Sequence, residues 1–96
     1  MRVFISNKAE ADLLQLFSYL AERDRIAADT IAFEIDKKFE SLARFPFIGR
    51  ARSTLAPGMR SLVVGMYVIF YVVEPDRIVI ARVLDGRRDI DAEFQR

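Results

Sequence analysis

The sequence predicts an α+β domain, a helical hairpin at the N-terminal side packed on a small antiparallel sheet. Three observations carry this. Apolar residues recur at three- and four-residue intervals up to Leu42, the period changes at "FPFIGR", and apolar runs separated by short turns follow. At 96 residues the chain, 1–96, is expected to form one domain. A chain of that size buries roughly 60 to 65% of its unfolded surface.

The elements follow in order. "RVFI" reads as a short strand with Val3 and Ile5 on one face and Phe4 on the other. Ser6 and Asn7 offer side-chain oxygens for a helix start, and Glu10 follows Asn7 at the spacing of a capping box. Ala9, Leu13, Leu16, Phe17 and Leu20 then mark the apolar stripe of a helix. Asp24 reads as the cap of a second helix, whose stripe is Ile31, Ile35, Phe39 and Leu42. With so few residues between them the two helices must lie antiparallel. Pro46 biases Phe45 away from helical angles and ends the second helix.

Beyond the loop "STLAPG" the pattern is that of strands. "MRSLVV" alternates, with Leu62 and Val64 on one face, and "MYVIFYVV" is apolar on both faces, as a covered central strand is. "EPDR" is a turn with Pro75 in its second position, and "IVIARVL" runs back. The order is βααβββ: a three-strand meander, the first strand available to join at an edge, and "DIDAEF" as a short terminal turn of helix.

Composition narrows the function. The chain contains no cysteine and no histidine, which removes thiolate chemistry and the usual near-neutral acid–base group. No metal site and no cofactor is expected. No run approaches a membrane span, and the start lacks the apolar core of a signal peptide, so a cytoplasmic protein without membrane contact is expected. Net charge is only +1, but it is unevenly spread. Residues 1–49 carry seven Lys/Arg against eight Asp/Glu, whereas residues 50–88 carry seven arginines against three acids. A basic half built from arginine alone points to an anionic partner, because the planar guanidinium forks onto carboxylate or phosphate.

The candidate residues lie in that half. Glu34, Asp36 and Glu40 sit among Lys37 and Lys38 and read as a solvated helix face. Tyr67 and Tyr71 share one strand face with Ile69; they read first as an aromatic pair packing on the sheet with hydroxyls at the rim, and second as partner contacts. Arg60 opens one strand, and Arg82 lies within another among apolar neighbours. A charge placed like Arg82 needs a partner, and Asp85 or Asp89 is the expected one, in an ion pair pinning the strand to the terminal segment. Arg87 and Arg88 follow Gly86 in a turn and are expected to project outward for contact.

The motifs "P.IGR", "G.R.L....Y.I.Y" and "RVL.GRRD", in this order, resemble the ParE branch of the ParE/RelE superfamily of bacterial toxin–antitoxin modules. The resemblance covers nearly the whole chain and implies the RelE/ParE-like fold. It also implies a toxin that binds a protein target, DNA gyrase, and is neutralised by a ParD-like antitoxin in a hetero-oligomer. No direct sequence-specific nucleic-acid binding is implied. Two alternatives are a RelE-like ribosome-dependent mRNA endoribonuclease and an antitoxin-binding module that has lost toxicity. Against the nuclease, no lysine follows Lys38, Tyr67 stands where those nucleases tend to have a strand arginine, and Phe94 stands in place of their late tyrosine. Asp85 also departs from the family's late motif, where a histidine is common. Arg60, Tyr67, Tyr71, Arg87 and Arg88 are the contact candidates, and none is assigned a catalytic role.

Overall fold

Two helices lie across one face of a five-stranded sheet in the computed structural model, which describes residues 1–95. The elements are β1 (Arg2–Ile5), α1 (Asn7–Arg23), α2 (Arg25–Arg44), β2 (Arg50–Ala51), β3 (Met59–Val64), β4 (Tyr67–Val73), β5 (Arg77–Asp85) and α3 (Ile90–Phe94). The strand order is β1-β5-β4-β3-β2. The meander β3–β4–β5 is antiparallel, as expected, and the first strand takes an edge. β1 runs parallel to β5, however, so the sheet is mixed, and the two-residue β2 adds an edge strand that is too short to leave a pattern in the sequence.

Asp24 serves both helices. Its N–H donates to Leu20 O at the end of α1, while its carboxylate accepts from Ala27 N at the start of α2. One residue therefore closes the hairpin and caps both ends. The start of α1 corrects one expectation. Ser6, not Asn7, is the cap, with Oγ accepting from Ala9 N, so Glu10 falls one residue too late to complete a box. Ser6 wins because its hydroxyl also donates to Ala81 O, which ties the helix start to β5.

Alternation in the strands builds two apolar layers. Ile69, Tyr71, Ile78, Ile80 and Val83 face the helices and meet Ala9, Leu16, Ile35 and Leu42. Phe70, Leu84 and Met59 face the other way, under Leu55, Ile90 and Phe94. Phe94 meets Phe70 edge-on at 5.0 Å, which seats α3 on this second face. The β3–β4 hairpin turns through Gly65 (φ 57°) and Met66, the left-handed first position that a type II′ turn requires of glycine.

The register slips between Phe70 and Tyr71, which pair with Arg82 and Ile80 and leave Ala81 as an extra residue in β5. This bulge changes the parity of the strand beyond it. Just there β1 has ended, since Ile5 is opposite Ile80. The β5 edge above that point is taken by α1.

Candidate binding cleft

Where β1 stops, Asp12 of α1 takes over its role. Its Oδ2 accepts from Val83 N at 3.0 Å, a backbone donor that a longer β1 would have paired. The same carboxylate takes two bonds from Arg82, Nε to Oδ2 at 2.8 Å and Nη2 to Oδ1 at 3.0 Å. Arg82 also reaches α3, with Nη2 3.5 Å from Glu93 Oε1. The Asp12 hydrogen bonds and charge raise the Arg82 pKa above its ordinary value in spite of burial.

This corrects the expected pairing. Arg82 is half of a part-buried ion pair, but its partner is Asp12, seventy residues away, and neither Asp85 nor Asp89. Asp85 instead turns to Arg87, whose Nε donates to Oδ1 at 3.0 Å and Nη2 to Oδ2 at 2.7 Å. Asp89 caps α3 by accepting from Ala92 N. Each aspartate is thus spent within its own turn. The signal for Asp12 was present in the sequence: it lies three residues after Ala9 and four before Leu16, a carboxylate on the apolar stripe of α1.

Above this junction a cleft of about 200 Å³ opens between α1 and the ends of β4 and β5. Gln15 and Tyr19 line it from α1, Tyr67 from β4, and Asp85, Arg87 and Arg88 from the turn after β5. Sequence reasoning had singled out Tyr67, Arg87 and Arg88, and the structure brings these three together. It missed Gln15 and Tyr19, which periodicity leaves on the polar side of α1. Tyr19 is half-exposed, with the Arg23 guanidinium stacked over its ring at 3.7 Å.

Hydrogen bonds from the Arg87 side chain and backbone N–H lower the Asp85 carboxyl to about 2. Burial, then the Asp85 charge, push the Tyr67 phenol above its ordinary value. Near neutral pH the cleft therefore offers a partner a charged carboxylate, a neutral phenol and two guanidinium groups. Arg87 keeps its outer surface in solvent, and Arg88 is held only loosely, 3.8 Å from Glu93.

Arg60 and Tyr71 belong elsewhere. Tyr71 is fully buried, and its hydroxyl accepts from Gly49 N and donates to Pro46 O, both at 2.8 Å. Burial raises its pKa. A side chain at Gly49 would come within 2.5 Å of that hydroxyl and 2.8 Å of Ser61 O, so the close approach requires glycine. Arg60 donates to Gly49 O at 2.7 Å and to Phe47 O at 3.3 Å. Together these residues brace the α2–β2 connection, which explains "P.IGR" and the second tyrosine of "Y.I.Y" as one structural unit. Tyr71 is therefore not a contact residue, since it has no exposed surface.

Comparison with known proteins agrees with this architecture. The family described as the ParE toxin of the type II toxin–antitoxin system, parDE, matches residues 3–90. Toxin ParE3 of Caulobacter vibrioides is 32% identical over 94 residues, covering 97% of this chain and 94% of the relative. Toxin ParE1 of Mycobacterium tuberculosis is 30% identical over 92 residues, 94% of each. Among solved structures, the chromosomal ParDE system of P. aeruginosa superposes with a TM-score of 0.74 at 22% identity, over 88% of this chain and 95% of the other. The RelBE2 toxin–antitoxin complex of Mycobacterium tuberculosis does so at 0.59 and 27% identity, with the same coverage. The chain belongs to the ParE family of toxins from type II toxin–antitoxin systems.

Proposed function

We propose that this chain is a toxin that acts by binding a protein, with DNA gyrase as its target, and that a ParD-like antitoxin holds it inactive. The observation that carries the reading is the cleft between α1 and β4/β5, at whose rim Asp85 is paired with Arg87 and two arginines project. Such a surface orients a partner through guanidinium forks and phenol edges. The ParE relatives and the ParDE and RelBE2 structures support the antitoxin half of the reading by family and fold.

The test is supercoiling by purified DNA gyrase, with and without this protein, with trapped cleavage complexes scored on the same gel. Inhibition or trapped breaks is the expected result. Folded protein that leaves gyrase untouched but arrests growth would remove gyrase as the target. Folded protein that does not arrest growth at all would remove the toxin reading.

A further inference from the structure

The cleft contains a contact that the fold does not need. Asp85 and Arg87 are two residues apart in one turn, and other bonds already hold that turn. Gly86 N donates to Met66 O at 2.8 Å, Arg88 N to Asp85 O at 3.1 Å, and Arg87 N to Asp85 Oδ1 at 2.9 Å. The side-chain pair, Nε to Oδ1 and Nη2 to Oδ2, joins no two elements of the fold. With Arg87 largely in solvent, such a pair is worth roughly a fivefold equilibrium preference at most.

The pair nevertheless has the form of a bound ligand. Both carboxylate oxygens lie along one edge of the guanidinium, the arrangement by which arginine grips a carboxylate or a phosphate. Asp85 is opposite Tyr67 in the β4–β5 register and is 25% exposed, so its carboxylate stands on the inner side of the fork, toward the cleft. Arg88 is less satisfied. Its nearest carboxylate, Glu93, is 3.8 Å away, beyond hydrogen-bond reach, and is shared with Arg82. Gln15, Tyr19 and Tyr67 add neutral donors around the two arginines, and the buried Leu16 and Val83 form the floor.

We propose that the cleft takes an oxyanion, a carboxylate or a phosphate ester, into the Arg87 fork beside Arg88, and that Asp85 holds this place in the free protein. Binding is then an exchange. An anion entering with Asp85 still in the fork would put two like charges on one guanidinium, so Asp85 turns out to solvent as the incoming group takes Nε and Nη2. Arg88 supplies donors that Asp85 leaves unused. The exchange is cheap because the exposed pair is weak, yet a stray anion gains little from it. A group carried by a partner that also meets Tyr19 and Tyr67 gains more. This rests on the reading of the cleft as the contact surface, but its test does not require gyrase.

The experiment is an NMR titration of the arginine Nε–H resonances with acetate and, separately, with inorganic phosphate, at ionic strength held constant with chloride. Arg77 is the internal control, because its Nε donates to Glu74 at 2.8 Å in an exposed pair outside the cleft. Arg87 should shift and Arg77 should not. In Asp85→Asn, which keeps an acceptor for the Arg87 backbone N–H, the affinity at Arg87 should rise about fivefold. Adding Arg88→Gln to that variant should lower it again. A rise with acetate or with phosphate supports the proposal and identifies which group a partner brings. Equal shifts at Arg77 and Arg87 would overturn it. So would an affinity that Asp85→Asn leaves unchanged or lowers, since Asp85 would then support the fork and not occupy it. The exchange in a protein that leaves gyrase untouched would remove the target reading alone, whereas gyrase inhibition without the exchange would remove this inference alone.

Discussion

Arg82 and Arg87 belong to one strand and its turn, and each meets an aspartate through two short hydrogen bonds. The geometry is nearly the same and the surroundings are opposite. Arg82 and Asp12 are 16% and 9% exposed and join α1 to β5, whereas Arg87 is 74% exposed and its partner lies two residues away. Buried charges depend on each other, because either one alone would be stranded out of water. The exposed pair is solvated and screened whether or not it forms. One arginine is therefore structural and the other is available to a partner, and burial decides which.

The largest effect should come from breaking the buried pair. Arg82→Ala leaves the Asp12 carboxylate uncompensated and is expected to lower stability by about 3–5 kcal/mol in chemical denaturation. Arg82→Met combined with Asp12→Leu should recover only part of that loss, because an apolar pair carries no desolvation penalty but Val83 N loses its acceptor. An Arg82→Ala variant as stable as its parent would remove the distinction drawn above. The tyrosines make a smaller, parallel test. Tyr71→Phe deprives Gly49 N and Pro46 O of their shared hydroxyl and should cost about 1–3 kcal/mol. Tyr67→Phe, at the rim of the cleft, should leave the melting temperature near that of the parent and act on binding instead.

The same contrast governs how much could be read from the sequence. Helices, meander, the Asp24 cap and the sharing of a face by Tyr67, Ile69 and Tyr71 all follow from local period and turn chemistry, which a linear chain displays. The projecting Arg87/Arg88 pair was legible for the same reason. A carboxylate on the stripe of α1 marks Asp12 as needing a partner, but its pairing with Arg82 was not legible, because it depends on where β1 ends and on the extra residue at Ala81. The first is set by packing between distant segments, and the second by the pairing of β4 with β5. Tyr71 shows the limit from the other side: strand parity gave its face, but only the fold of residues 46–49 beneath it showed that its hydroxyl is spent.

Changing the exposed arginines sharpens the comparison through function. Arg87→Ala/Arg88→Ala should melt with the parent and, if the proposed gyrase target and the cleft as contact surface are right, inhibit about tenfold less or weaker still. Loss of stability without loss of inhibition would reverse the roles of the two arginine sites.

The smallest effect tests the exposed pair itself. Asp85 is lowered from 3.8 to about 2 in the folded protein, chiefly by the Arg87 side chain. A depressed carboxyl stabilises the fold above its unfolded pKa and loses that contribution as pH falls through the folded value. The difference in melting temperature between parent and Asp85→Asn should therefore be constant near neutrality and shrink between about pH 4 and about pH 2. Asparagine can still accept the Arg87 backbone N–H, so the substitution removes the charge and keeps the turn. The difference should be small at its largest and weaken with added salt, because the Arg87 guanidinium stands in solvent. No difference at neutral pH would mean that the turn hydrogen bond, which asparagine keeps, and not the ion pair, holds residue 85 in place, leaving the Arg87 fork free for a partner at no electrostatic cost.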